Sequence, residues 1–251
     1  MTILSVDSSY KPMSAAISRD GSLMAECFFS LGLTHSETLM PVIDEMIKRA
    51  GISLSEIDAL AVTEGPGSFT GLRIGSGTVK GLADALDIPV IPVPTLEVMA
   101  FNIFSPGCII CPMLDARRGN VYSAVYGYEG ESLKNLMPQC IISLEDLLGK
   151  LEPLGEKVIF SGDAELLFRD RIDEKLKLPH FYAPLNLRDQ RAGALSALAE
   201  IKHKEGLAVN GAEFKPLYIK ETHAEEERKE AEKQGRLKDL SKGISVLPEK
   251  S

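Results

Sequence analysis

Tryptophan is absent from the 251 residues, aromatic residues make up 6 %, and there are only four histidines and four cysteines. Each scarcity excludes something. His35, His180, His203 and His223 form no HExxH or HxxxH pair, so no helical metal pair is on offer. Cys27, Cys108, Cys111 and Cys140 are scattered, and the one CxxC, Cys108–Cys111, has no second CxxC to complete a metal site. It lies in CIICPML, which reads as a buried strand. Residues three apart on a strand point to opposite faces, so core packing is expected rather than metal or redox chemistry. No run of about 18 apolar residues occurs, which excludes a membrane-spanning helix. The opening MTILSVDSSY lacks a basic segment and reads as a strand rather than a signal peptide, so a cytoplasmic location with reduced thiols is expected. Positive charge is also short: 28 Lys and Arg stand against 36 Asp and Glu, net -8. Without a basic face the chain is a poor grip for nucleic acid, and any RNA chemistry would come through a complex.

What is present suits a globular chain. Hydrophobic residues are 44 % and charged residues 25 %, which rules out general disorder, a collagen-like fibre and a disulfide miniprotein. Residues 2–7 form a short apolar run ending in Asp7. Residues 13–19 and 22–29 flank Asp20-Gly21, a hairpin signal. Thr34 to Glu37 has the capping-box spacing, and a periodic run continues to Ala50 before Gly51 stops it. A strand is expected at 58–63, a loop over GPGSFTG, a helix at about 70–86, a strand at 88–92 and a helix at 95–104.

The pattern then restarts. CIICPMLDARRG places an apolar strand before Asp115, as ILSVD does before Asp7, and Ser123 to Tyr126 leads to Glu129-Gly130 as Ser14 to Ile17 leads to Asp20-Gly21. Further helices are expected at 143–150, 164–176 and 191–205, with a strand at 157–160 and a turn at Ser161-Gly162-Asp163. Residues 220–242 carry seven acidic and seven basic residues and little that is apolar, and read as a solvated helix or a disordered extension.

Three places carry candidate chemistry. In GPGSFTG, Gly65, Gly67 and Gly71 let backbone approach closely, Ser68 and Thr70 add hydroxyls, and Arg73 adds a cation one turn into the following helix. This is chemically an anion site; it is equally a tight turn with close helix packing. It is neither a Walker loop nor a Rossmann fingerprint. Asp7 and Ser8 end the first strand, where a carboxylate orients a metal-bound phosphate in two-lobed nucleotide-binding folds, or simply satisfies a local turn. The third is the helix from His35. Leu39, Met40, Val42, Ile43, Met46, Ile47 and Ala50 spread over about 160° at 100° per residue, wider than one buried stripe needs. Such a helix lies deep, or offers its second side to a partner.

The strand ILSVDSS, the helix THSETLMPVIDEMI, the stretch AVTEGPGSFTGLRIGSGTVKGLA and IPVIPVPTLEVMA together resemble the TsaB (YeaZ) family. The likeness is specific over about residues 1–125 and looser beyond. It implies an α/β, two-lobed fold of the actin, sugar-kinase and Hsp70 type built from duplicated RNase-H-like units. The lobes are expected at 1–105 and 106–222, with a late helix packing back on the first, and a charged tail at 223–251. It implies a role in threonylcarbamoyl modification of the tRNA adenosine next to the anticodon, with a TsaD-like catalytic subunit and a TsaE-like ATPase as partners, tRNA met only through the complex, and a homodimer when isolated. TsaD-like sequences carry an HxxxH metal pair where this chain has Thr95 and Met99. Hydroxyl and thioether are poor ligands for such an ion, so no metal and no catalytic residue are expected here. His35, Leu39, Met40, Val42, Ile43, Met46 and Ile47 are the expected partner face. No tightly bound cofactor is expected; ATP or ADP would sit at the partner joint and use Asp7, Ser8 and the 65–73 loop. Two other functions compete: a small-molecule kinase or ATPase of the same superfold, and a peptidase, for which no nucleophile–base set is evident.

Overall fold

Asp20-Gly21 folds as its chemistry dictates. In the computed structural model, which describes residues 1–32 and 34–217, the two residues take φ of 50° and 77°, the left-handed pair a two-residue hairpin turn needs. The turn joins β2 (Met13–Arg19) to β3 (Ser22–Phe29), and β2 pairs antiparallel with β1 (Thr2–Asp7). After α1 (His35–Ala50), the chain adds β4 (Ala59–Gly65) parallel to β1, then α2 (Phe69–Leu86), then β5 (Val90–Pro94) parallel to β4. The sheet order is β3-β2-β1-β4-β5.

After α3 (Thr95–Phe101) the same plan repeats. β6 (Cys108–Arg117), β7 (Asn120–Glu129) and β8 (Ser132–Ser143) form the antiparallel part. α4 (Leu144–Leu151), β9 (Lys157–Ser161), α5 (Asp163–Lys175) and β10 (His180–Tyr182) complete it, with β9 parallel to β6 and to β10, and α6 (Ala192–Lys204) follows. Read from β8, the second sheet has the first sheet's order and directions. The faint restart in sequence is a duplication of topology.

The two repeats are locked by an exchange of helices. One face of the first sheet packs Leu4, Val6 and Ile17 against Leu39, Ile43 and Met46 of α1 and Val79 of α2. Its other face packs Ile3, Ala61 and Ile91 against Leu195, Leu198 and Ala199 of α6, a helix that follows the second sheet. Conversely α3, which follows the first sheet, lays Leu96, Met99 and Ala100 on Ile110, Leu114 and Ala124 of the second. The far face of that sheet holds Cys111, Val125, Val158 and Phe160 against α4 and α5. Period-two alternation along each strand supplies both faces with apolar side chains. No helix among the described residues is long and apolar enough to cross a membrane.

Several local expectations are revised. The Thr34 capping box does not form: Thr34 makes no side-chain cap, and the N–H groups of Glu37 and Thr38 donate to its carbonyl instead. A capping box forms at Ser53 and Glu56, ahead of a single 3-10 turn. The two CxxC thiols divide as the strand period requires, with Cys111 buried and Cys108 half-buried, and all four cysteines are free. The expected charged tail lies outside the described residues.

The chain then returns to the first repeat as a strap. Val209 and Val90 exchange backbone hydrogen bonds of 2.8 and 2.9 Å, Phe214 enters the first core, and the Leu217 N–H donates to the Glu64 carbonyl at 2.6 Å. Phe214→Ala should therefore cost about 3–5 kcal/mol in urea unfolding, the usual loss for a buried phenyl ring. A loss near zero would mean the strap is not part of the cooperative fold.

Candidate functional site

The glycine-rich loop begins where β4 ends. Gly65 has φ +125°, is followed by a cis bond to Pro66, and faces the Leu217 carbonyl where a Cβ would stand. Only glycine is unstrained there. A Cβ on Gly67 would land on the Ser9 carbonyl, and one on Gly71 on the Ser8 carbonyl. The Ser68 N–H donates to the Ser9 carbonyl at 2.6 Å, and the Ser8 hydroxyl donates to the Gly71 carbonyl at 2.8 Å. Ser68 caps α2 itself, its Oγ accepting the Gly71 N–H at 3.3 Å. Gly67 and Gly71 thus admit the chain's own backbone from the end of β1, and Gly65 admits it from Leu217. The side chains of Ser68, Thr70 and Arg73 point away from this joint, exposed, with the Arg73 guanidinium 3.9 Å from the centre of the Phe69 ring.

Asp7 lies inside it, fully buried. Its Oδ1 accepts the Ser9 N–H at 2.9 Å and the Ser9 hydroxyl at 2.7 Å, the closed turn that Asp and Ser make at a strand end. Its Oδ2 has no partner among the described residues. Burial pushes the Asp7 carboxyl up, against the pull of Ser9, Thr63 and the nearby His35.

His35 opens α1 and holds the Tyr10 carbonyl through Nε2 at 2.9 Å. Leu39, Ile43, Met46 and Ile47, expected to meet a partner, are turned inward instead. The reason is geometric: α1 rests on β2, β3 and α2 together, and this broad seat uses its wide apolar arc. Val42 packs half-buried at the edge of that core. Met40 remains outside, 45 % exposed, beside exposed Glu37, Pro41 and Asp44.

Sequence reasoning passed over the groups that join the repeats. The Tyr10 hydroxyl donates to the Asp115 carbonyl at 3.0 Å, and Lys11 pairs with Asp163 at 3.0 Å. Asp163 also accepts the Asp115 N–H at 3.2 Å, while Asp115 pairs with Arg117 at 3.1 Å. The available signal was the repeat itself, which sets Asp115 opposite Asp7. Thr95 and Met99 sit one turn apart on the buried face of α3, the Thr95 hydroxyl without a partner among the described residues. Among the described residues no three His, Cys, Asp or Glu side chains gather closely enough to hold a metal ion. Chemically the arrangement braces the two repeats and holds the buried Asp7 carboxylate in a turn.

Residues 32–227 match the family model described as TsaD: tRNA N6-adenosine threonylcarbamoyltransferase. The chain is 32 % identical over 233 residues to the tRNA threonylcarbamoyladenosine biosynthesis protein TsaB of Bacillus subtilis, covering 93 % of this chain and 100 % of that one. It is 37 % identical over 231 residues to the protein of the same name from Haemophilus influenzae, covering 88 % and 94 %. A crystal structure from Pseudomonas aeruginosa, of an uncharacterized protein with similarity to peptidase YEAZ, superposes with a TM-score of 0.75 at 24 % identity, covering 87 % of this chain and 99 % of that one. The duplicated topology and this superposition give the expected two-lobed α/β fold.

Two contrasts test the joint. Gly71→Ala should destabilise by several kcal/mol, whereas Gly77→Ala, on the open side of α2 with nothing within 4 Å of a Cβ, should stabilise by about 0.5–1 kcal/mol. Equal effects in urea unfolding would contradict the packing assignment. Because burial raises the folded-state value of Asp7, its contribution favours folding below the usual carboxylate range and is lost as pH rises through the folded value. Asp7→Asn cannot ionise and should flatten that fall, which begins at the usual carboxylate range and continues above it. An unchanged pH slope would show that Asp7 is not charged at a cost in the folded state.

Proposed function

The chain belongs to the TsaB family of tRNA threonylcarbamoyladenosine biosynthesis proteins, and from that membership we propose that it is the non-catalytic, activating subunit of the transferase complex. Its partner is a TsaD-like catalytic chain, a relation that the match to the TsaD family model supports. A TsaE-like ATPase completes the assembly, and tRNA is met through the complex. The observation that carries the reading is the filled joint. This chain seats its glycine loop on the Ser8 and Ser9 carbonyls and closes Asp7 into a turn. A cleft spent on packing leaves surface as the means of action, and the subunit works by favouring the partner's competent conformation. The outward ridge of α1 around Met40 is the docking face, and the isolated chain pairs with itself through the same ridge. ATP or ADP, where required, sits at the joint with the partner.

Reconstitution tests this. The chain alone should transfer no threonylcarbamoyl group to tRNA, and the TsaD-like subunit should gain activity when it is added. Met40→Glu, on an exposed side chain, should leave the melting temperature within about 2 °C, as surface changes do. It should weaken co-elution with the partner at least about tenfold, as loss of an interface anchor does. Ile47→Lys is the contrasting variant: it buries a charge in the core and should unfold the chain. Full pairing by Met40→Glu, or turnover by the chain alone, would overturn the assignment.

A further inference from the structure

The loop from β10 to α6 is pinned from both repeats. The Gly162 N–H donates to the Arg188 carbonyl at 2.9 Å, the Asn102 amide to the Leu187 carbonyl at 3.3 Å, and the buried Gln190 amide to the Pro12 carbonyl at 3.1 Å. Thus held, Leu185, Arg188 and Asp189 face Phe28 and Arg191 across a cavity of about 510 Å3. That volume lies within the usual span of small-molecule sites. Nothing in the docking role accounts for it. We propose that this cavity binds a free α-amino acid with an apolar side chain.

The charges select that class. Arg191 is already satisfied: it grips Glu26 with two bonds, 3.1 and 2.9 Å, and lies 5.0 Å from the centre of the Phe28 ring, so it serves as wall. Arg188 is not. Its guanidinium makes no hydrogen bond among the described residues: Nε is buried without a partner, and Nη1 lies 3.9 Å from Glu165, beyond hydrogen-bond range, so that the partly exposed terminal nitrogens are the ones left for a ligand. Glu165 is itself engaged by Arg169 at 2.7 Å. The guanidinium therefore has donors to spare for a carboxylate. Beside it, the half-buried Asp189 carboxyl accepts no hydrogen bond among the described residues; burial pushes it up, against the pull of Arg188 and Lys11, neither of which is in ion-pair contact with it.

A phosphate would meet Arg188 but face Asp189; an amine would meet Asp189 but face two arginines. A zwitterion answers both, its carboxylate on Arg188 and its ammonium on Asp189. Its side chain then lies between Phe28 and Leu185, the latter 78 % exposed and awaiting cover.

The test is titration of the full chain, by calorimetry or NMR, with leucine, N-acetyl-leucine and leucinamide. Leucine should bind saturably, and each analogue, lacking one charge, at least about tenfold more weakly, the loss of one charge-assisted hydrogen bond. Asp189→Asn should weaken leucine by a similar factor and leave N-acetyl-leucine unchanged. Leu185→Ser, at a surface position that cannot unfold the core, should weaken leucine more than alanine. Absence of saturable binding by any apolar amino acid, equal binding of the blocked analogues, tighter binding of inorganic phosphate, or indifference to both substitutions would each overturn the proposal.

Discussion

The seating of a glycine-rich loop on two backbone carbonyls is the constraint from which the rest of the first lobe follows. Ser8 and Ser9 present their carbonyls at the end of β1, and Gly67 and Gly71 approach them as no other residue can. The approach fixes where α2 starts. α2 in turn flanks α1, which lies on β2 and β3, and shares the core that the strap closes with Phe214. Because backbone meets backbone, the contact has no flexible end to give way, and a single methyl group is enough to disturb it.

Exchange of α3 and α6 does for the two sheets what the loop does within one. Each sheet needs cover on two faces, and each repeat brings helices enough for one face and part of another. The remaining cover comes from the neighbour. Tyr10 and Lys11 tie the same seam by reaching to Asp115 and Asp163. A lobe that borrows a layer from its partner does not part from it readily.

Much of the fold was legible in the sequence, for identifiable reasons. Asp20-Gly21 is unambiguous because both residues take positive φ at low cost. The restart at Asp115 was legible because strand-end acids and hairpin turns recur at fixed offsets. β10 was not, since three residues carry too little alternation to register. The strap was not, because Val209, Phe214 and Leu217 form no period and act through distant partners. The candidate site divides in the same way. Its members, Asp7, Ser8 and the 65–73 loop, were found together, since composition marks backbone approach. The approach that the structure shows is made by the Ser8 and Ser9 carbonyls, and no local pattern carries that. Likewise the wide apolar arc of α1 was read correctly as wide, but its seat on β2, β3 and α2 is a tertiary fact, and it reduces the outward share to Met40.

The account rests on protein, not ligand, occupying the space beside the glycine loop. Amide hydrogen exchange read residue by residue measures this directly. The Ser68 N–H, bonded to Ser9, should exchange only at the rate of global unfolding in the free chain, and addition of magnesium ATP should leave it and the neighbouring loop amides unchanged. Rapid exchange at Ser68 in the free chain, slowed by nucleotide, would contradict the account.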